Sequence, residues 1–531
     1  MLKRIVAITL VCLIVVAFVG CSSNTATSTT TAQPSQSTTT KNQYDEKVNF
    51  QASYVEYGTV NGKDEIFEYF AKKFNIDIDM IPMPQSGYTE KDRISINGGT
   101  MPDWITMWGF NYDEYLSYVD QGLIKALPDG WETKWPTLAS AVKASDISDY
   151  LTIDGKTYAL PHVIFFNFTE YEKNRSHDSV YYRKDWLDTL GIQKYGDVIT
   201  KSQLYEYCEK AIKADLAGSG KTLGLTGSSG SVIGYMMNMY NNKYNTFWKE
   251  NSSYVWGPSM PGTIEGISYL RSLYNDGILD PDFYLNKASD GYNKFSSGLA
   301  AALIGPGTTA DTTLRYNEFR AAGTGDPSEC IEMAVLVDDD GKWKGTEQTN
   351  YAWATIFSPN LDDAKFERAL DLIDYAYTKE AQEIIAMGIP DVDWRVSSDG
   401  GYEILSQKDE KGNYLDPKQK YSTIYFWWVQ GVLQDDFSLA NPTLDKNIVE
   451  RANRLYDIRA KSTDYRPIDY NYSFLNSPAK SVYSVDIGKE ISRIVVDKQI
   501  ADINTEWQKF IDTNKGMWEP VINDLNNLYN D

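Results

Sequence analysis

Three neighbouring segments switch their apolar period from two to 3.6 and back, and this constrains the chain more than any other feature. Residues 48–54 alternate as a strand. Ile66, Phe67, Phe70 and Phe74 then recur at helical spacing, and residues 76–81, Ile-Asp-Ile-Asp-Met-Ile, alternate again. A strand, a helix and a strand within about thirty residues form a βαβ unit, whose crossover requires a parallel sheet. The alternation continues downstream. Residues 93–104 read as a helix closing into a Gly/Pro turn before a short strand. Thr200 with Gln203 three residues later has the pattern of a capping box. Residues 300–304 form a small apolar strand. Residues 361–386 carry Phe366, Ala369, Leu370, Ile373 and Ala376 on one face, with a break near Thr378 and a terminator at Gly388. The pattern predicts an α/β fold without repeats and without a second apolar span.

The length of 531 residues exceeds what one hydrophobic core usually holds, so two lobes are expected. The chain starts with Met1-Leu2-Lys3-Arg4 and an uncharged run over 5–20, ending in Phe18-Val19-Gly20-Cys21. A basic start, an apolar stretch and a small residue are what a secretion signal needs. The run is shorter than the roughly 20 apolar residues of a membrane span. The small residue before Cys21 resembles the lipobox of bacterial lipoproteins, although Phe18 stands where Leu is commonest. That resemblance implies a diacylglyceryl group on Cys21 and cleavage in front of it. The alternative is a soluble secreted protein whose leader ends near a cysteine. Residues 22–42 are almost wholly Ser, Thr, Gln, Ala and Asn. Such a segment buries nothing and serves as a disordered tether. The expected layout is a signal peptide over 1–20 and a lipidated cysteine with its tether over 21–46. The expected location is the outer face of the cytoplasmic membrane, with membrane contact through the lipid anchor only.

Lys and Arg number 51 against 73 Asp and Glu, a net charge of −22, or −24 once Lys3 and Arg4 leave with the leader. So acidic a body argues against nucleic acid and against docking on anionic lipid. It also disfavours a strongly anionic polysaccharide unless a local basic cleft exists. Two histidines, His162 and His177, exclude an HExxH motif, a His-rich zinc site and a Cys/His cluster. A Ser-His-Asp triad would have to use one of them, and no G-x-S-x-G elbow is present. His162 reads as a structural or cleft hydrogen-bonder. With Cys12 lost and Cys21 lipidated, Cys208 on the apolar face of a helix and Cys330 opening a strand read as two buried thiols, a bridge between them being the alternative.

Several segments together resemble the extracellular solute-binding proteins of carbohydrate ABC importers, family 1, in its large lipoprotein branch. They are Asn97-Gly-Gly-Thr-Met-Pro-Asp103, Gly122-Leu-Ile-Lys-Ala-Leu-Pro128, Ile153-Asp-Gly-Lys-Thr-Tyr-Ala-Leu-Pro161 and Tyr182-Arg-Lys-Asp-Trp-Leu-Asp-Thr-Leu-Gly191. Phe295-Ser-Ser-Gly-Leu-Ala-Ala-Ala-Leu303 and the run 518–529 extend the likeness over nearly all of the mature chain. The resemblance implies two periplasmic-binding-protein-like α/β lobes joined by hinge segments, with the ligand in the cleft between them. The expected division is 47–165 with 301–355 as the N-terminal lobe, and 166–300 with 356–531 as the C-terminal lobe with its closing helices. Some members carry a calcium loop after the helix corresponding to 201–213. Here Lys213-Ala-Asp-Leu-Ala-Gly-Ser-Gly220 offers only Asp215 as a carboxylate, while calcium takes six or more oxygens, so no metal is expected.

Two further motifs read as turns. Gly305-Pro-Gly-Thr-Thr-Ala310 looks like a phosphate loop but lacks a nearby acidic residue in a βαβ context. Asp338-Asp-Asp-Gly341 starts like an EF-hand, but Lys342 and Thr349 fall where ligands are required. The informative excess is aromatic: 14 Trp, 38 Tyr and 19 Phe. A sugar presents an apolar C–H face to an aromatic plane and a rim of hydroxyls to Asp, Glu, Asn or Arg. Places where both kinds adjoin are Glu56-Tyr57, Asp103-Trp104 with Trp108, Asp393-Trp394-Arg395 and the run holding Trp427. Trp256 and Trp353 lie beside turn-like or strand-edge segments. Core packing is the competing explanation for each. Asp103, Trp104 and Trp108 stand first, because a turn at a strand's end is where α/β clefts contact ligands.

The expected function is therefore that of a monomeric, lipid-anchored substrate-binding protein. It would close its lobes on an oligosaccharide or related solute and deliver it to an ABC permease, with no cofactor and no catalysis. The alternatives are a cell-surface glycoside hydrolase or lyase, which needs only two carboxylates, and a non-transport surface glycan receptor.

Overall fold

The computed structural model describes residues 44–56, 58–84, 87–108, 111–163, 174–398, 400–406, 408, 414–431 and 443–529. The leader, Cys21, most of the tether and Tyr57 lie outside the described residues, as does the side chain of Trp108. Residues Tyr44–Asp531 form one compact unit. No helix among the described residues is long and apolar enough to cross a membrane.

The first βαβ unit forms as its periodicity requires. Val48–Val55 pairs in parallel with Ile76–Met83, and Glu65–Phe74 is the helix between them. Asp64 caps the helix by accepting from Phe67 N, and Asn75 ends it in the left-handed region at φ 48°. The helix buries Ile66, Phe67, Phe70 and Phe74. Trp104–Trp108 adds to the other side of Val48–Val55 in parallel, and Tyr351–Phe357 then bridges antiparallel to it and to Ala159–Val163. This gives a five-stranded sheet.

The second five-stranded sheet is built from Leu223–Gly227, Ala300–Pro306, Asp178–Arg183, Ile331–Val337 and Val198–Thr200, in that order. Asp178–Arg183 runs antiparallel to both its neighbours, and the outer pairs are parallel. The helix Lys201–Lys213 carries the expected capping box of Thr200 and Gln203. Cys208 is buried in this helix and Cys330 is half-buried at the end of a short helical turn; both are free thiols.

The sheets divide the chain at points other than those expected. Ala300–Pro306 and Ile331–Val337 pair in the second sheet, so 301–350 does not join the first lobe and only Tyr351–Phe357 returns to it. The helices Asp363–Ala376, Lys379–Met387 and Ile424–Gln430 pack with Phe50, Phe70 and Trp104 in the core of the first sheet, so 356–431 does not belong with the second. The physical cause is an apolar face, Phe366, Ala369, Leu370 and Ile373, that covers the first sheet as soon as the chain leaves it. Thr378 does break the 361–386 pattern, capping the second helix through Ala381 N, and Gly388 ends it. The chain thus passes between the two sheets three times, within 163–178, 337–351 and 431–446. Short strands on these passages and on 465–466 form a third sheet, in the order Tyr465–Arg466, Gly345–Gln348, Asn174–Arg175.

The turn-like motifs are turns. Asp215, at φ 46°, spends its carboxylate on Gly220 N and Thr222 Oγ1. Asp338 accepts from Asp340 N and Lys342 N and pairs with Lys344. Gly307 precedes the cap Thr308, and a Cβ there would stand 2.3 Å from Ser179 Oγ, so close packing demands the glycine. Among the described residues no group of three or more His, Cys, Asp or Glu side chains could hold a metal ion.

Candidate functional site

Strand direction fixes where a site can lie. In open α/β sheets ligands bind outside the carboxyl ends of the parallel strands, where loops diverge. In the first sheet that edge is marked by Val55, Met83, Trp108 and Val163, together with the start of the antiparallel strand at Tyr351. In the second it is marked by Gly227, Pro306, Val337 and Thr200, with the start of the antiparallel strand at Asp178. Tyr351 and His177, one from each edge, line the same cavity of about 420 Å³. The third sheet forms its floor through Glu347, Gln348 and Arg466. Trp248, from the hairpin Phe247–Glu250/Ser253–Trp256, and Tyr472 supply aromatic walls.

The polar groups of this cavity are held in defined positions. His177 Nδ1 lies 3.1 Å from Gln348 Oε1. Asp469 caps a helical turn by accepting from Tyr472 N at 3.0 Å, and its Oδ1 also accepts from Tyr254 Oη at 3.2 Å. Glu347 Oε2 accepts from Ile468 N at 2.8 Å. Arg466 Nη1 donates to Asn245 Oδ1 at 3.1 Å. Burial lowers the pKa of the Arg466 guanidinium, with Tyr244 and Tyr472 acting in the opposite direction. Arginine stays protonated in such a place. The result is a concave surface with aromatic faces, fixed acceptors and a cation, suited to gripping a polyhydroxylated ring. The same turn presents Tyr470 and Phe474 away from the cavity, where Tyr150 stacks on Phe474 at 3.8 Å.

The residues singled out from the sequence are not brought together. Trp104 is fully buried and starts its strand, so the Gly/Pro turn before it lies at the amino end of the sheet, opposite the ligand edge. Asp103, beside it, ties that end together by accepting from Gln51 N and pairing with Lys365. Trp427 is fully buried and stacks on Phe70 at 4.2 Å. Trp256 is buried, stacks on Trp518 and donates to Tyr483 Oη. Trp394 is buried in a small hairpin and donates to Gly388 O, while Arg395 points to solvent and pairs with Glu403. For these residues core packing or surface pairing is what the fold provides. Glu56, Trp108 and Trp353 do lie at the carboxyl edge. Glu56 N donates to Met83 O, Trp108 ends its strand opposite Trp353, and the Trp353 ring packs edge-on against Trp428 at 4.9 Å. Tyr57 is outside the described residues.

His162 is a structural residue beneath the sheet. Tyr377 Oη lies 3.0 Å from its Nδ1 and Thr355 Oγ1 lies 2.7 Å from its Nε2. Thr355 reaches Thr106 at 2.8 Å, and Thr106 and the Trp104 indole both donate to Gln430 Oε1. A neutral imidazole with its proton on Nε2 satisfies this whole relay. Burial pulls the pKa of His162 down to about 3. A second cavity of about 440 Å³ lies along the edge strand Ile76–Met83, but it is built by the first sheet alone and its Lys63 and Asp77 already pair.

The criterion of adjoining aromatic and polar residues did fit the segment that matters, Tyr465-Arg-Pro-Ile-Asp-Tyr-Asn-Tyr472. Nothing local to that run distinguishes its tyrosines from the many other aromatic residues that adjoin polar ones in this chain. His177, Trp248, Gln348 and Tyr351 carried no local signal.

The family described as bacterial extracellular solute-binding protein matches residues 65–392, more than half of the chain. The polygalacturonan/rhamnogalacturonan-binding protein YtcQ of Bacillus subtilis (strain 168) is 22% identical over 368 residues, 67% of this chain and 68% of its own. Among solved structures, the S. pneumoniae ABC-transporter substrate binding protein FusA in complex with kestose superposes with a TM-score of 0.67 at 14% identity, covering 91% of this chain and 98% of its own. The alginate-binding protein AlgQ2 without calcium ion gives 0.58 at 14% identity over 92% and 99%. At such identities the two structures show the fold, which is the periplasmic-binding-protein-like one expected. The family match goes further, to proteins that bind rather than catalyse: the chain belongs to the bacterial extracellular solute-binding proteins.

Proposed function

We propose that this chain is the substrate-binding component of an ABC importer for an oligosaccharide. The lipid on Cys21 holds it outside the membrane, and as a monomer it closes its halves on the solute. The observation that carries this reading is the cavity where Tyr351 of one sheet edge and His177 of the other meet over the three short strands of the third sheet. A solute there touches both halves at once, so its binding favours whichever arrangement brings them closest. Trp248, Tyr351 and Tyr472 offer apolar faces, and Gln348 and Asp469 offer hydroxyl partners. The carbohydrates named for the relatives, polygalacturonan/rhamnogalacturonan and kestose, support a sugar as the solute. The leader ending at Cys21 supports the anchor.

The test is calorimetry of the mature protein against a panel of oligosaccharides, with product analysis of every mixture. Tight binding without turnover is the expected result. Hydrolysis or elimination that one carboxylate substitution abolishes would overturn the reading. For the anchor, Cys21→Ser is expected to release the protein from the membrane into the medium.

A further inference from the structure

The arginines of the chain differ in what answers their charge. Arg93, Arg183, Arg315, Arg395, Arg451, Arg454 and Arg493 each pair with a carboxylate. Arg271, Arg320, Arg368 and Arg459 donate instead to backbone carbonyls or neutral side chains, and so does Arg466, to Asn245 Oδ1; of these five, Arg466 alone lines the cavity between the sheets. A guanidinium has five N–H donors in a planar fork. One of them is engaged here, in a half-buried position where water answers the remainder poorly.

The acids of the cavity do not complete the pair. The Asp469 carboxylate is engaged by the Tyr472 amide and the Tyr254 hydroxyl, and Glu347 by the Ile468 amide. A second cation stands at the aromatic wall, Lys243 Nζ at 5.1 Å from the Trp248 ring centroid, and it too forms no ion pair among the described residues. Within a body of net charge −22 the cavity thus offers one guanidinium that no carboxylate answers, with a lysine beside its aromatic wall.

We infer that the solute bears a carboxylate, as a uronic acid residue does, and that Arg466 is the residue that reads it, with Lys243 adding charge at the rim. The inference rests on the sugar-binding reading above and narrows it. A carboxylate accepts two parallel N–H bonds from a guanidinium, and this fork discriminates a carboxylate from a hydroxymethyl group by geometry as well as charge. The acidic surface does not prevent it. At physiological salt, exposed charges more than about 8 Å away are largely screened, whereas a direct contact inside a cavity is screened far less. Asp469 and Glu347 then face the hydroxyl-bearing side of the ring and exclude the reversed orientation, in which the carboxylate would meet them.

Carboxyl reduction converts a uronosyl residue into a neutral hexosyl residue of the same ring stereochemistry, which supplies matched probes. The mature protein is titrated by calorimetry with galacturonate, glucuronate, mannuronate and guluronate trisaccharides, and with the carboxyl-reduced counterpart of each. At least one acid is expected to bind about tenfold or more tightly than its reduced form, with an affinity that falls as salt is raised. Arg466→Met is expected to bring the two to equal affinity while changing the reduced form by no more than about twofold. Arg466→Lys, which keeps the charge and loses the fork, is expected to fall between, and a thermal melt checks that each variant is folded. Reduced forms that bind as well as the acids, or an Arg466→Met variant that weakens both equally, overturn the inference and leave the sugar-binding reading intact. Binding of none of the eight, together with none of the wider panel, overturns both.

Discussion

The two ends of the first sheet carry similar residues and do opposite work. At the amino end, Asp103 and Trp104 follow a Gly/Pro turn, and both are consumed by the fold: the carboxylate ties Gln51 and Lys365, the indole enters the core and feeds Gln430. At the carboxyl end, Glu56, Trp108 and Tyr351 sit at the edge where the loops diverge, and Tyr351, which opens its strand after a passage between the sheets, lines the cavity. An aromatic beside a carboxylate is thus not a binding signature by itself. The end of a parallel strand that it occupies bears on whether it can meet a ligand, because the loops diverge at the carboxyl end.

Substitutions at the two ends separate stability from affinity. Trp104→Ala is expected to have the largest effect, about 3–5 kcal/mol of unfolding free energy by denaturant titration, because it opens a cavity in the core and strips a donor from Gln430. The affinity of the remaining folded protein should not change; a loss of affinity without a loss of stability would reverse the comparison.

Acid is the next lever, and it acts on the relay beneath the sheet. His162 is held neutral in the fold, with a pKa near 3 against an ordinary value of 6.5. The unfolded chain therefore binds a proton that the folded one refuses. Its contribution is complete above about pH 6.5 and is lost as pH falls from there towards 3. At pH 4.5 the loss is expected to be about 2–3 kcal/mol, and a His162→Asn variant should lack this slope.

At the cavity, Trp248→Ala is expected to weaken sugar binding by about 1–2 kcal/mol in calorimetry, with little change in melting temperature. The smallest effect belongs to Arg395→Ala, whose side chain lies outside both regions and pairs with Glu403 at the surface. Neither melting temperature nor affinity should move, and a change in affinity would bring the 394–404 hairpin back into consideration.

The sequence made the local grammar of the fold legible. The βαβ unit, the capping box at Thr200, the break at Thr378 and the stop at Gly388 all depend on residues within a few positions of one another. What it did not disclose depends on pairing at a distance. Gly345–Gln348 and Tyr465–Arg466 are strands too short to show a period, yet they build the cavity floor. The allocation of 301–350 and 356–431 turned on which sheet each strand and helix face would meet, a choice that apolar periodicity leaves open. Direction was hidden too: nothing local to Gly98-Gly-Thr-Met-Pro102 distinguishes a turn that ends at a ligand from one that leads into a core.

The three passages between the sheets also set an order of assembly. Every strand of the second sheet lies between residues 178 and 337, so that sheet is complete in an uninterrupted stretch of chain. The first sheet is not: Ala159–Val163 has no neighbour within it until Tyr351–Phe357 arrives, and the core lacks Trp427 until later still. As the chain is delivered from its amino end, the half that begins first must wait, exposed, for the half that begins second to close.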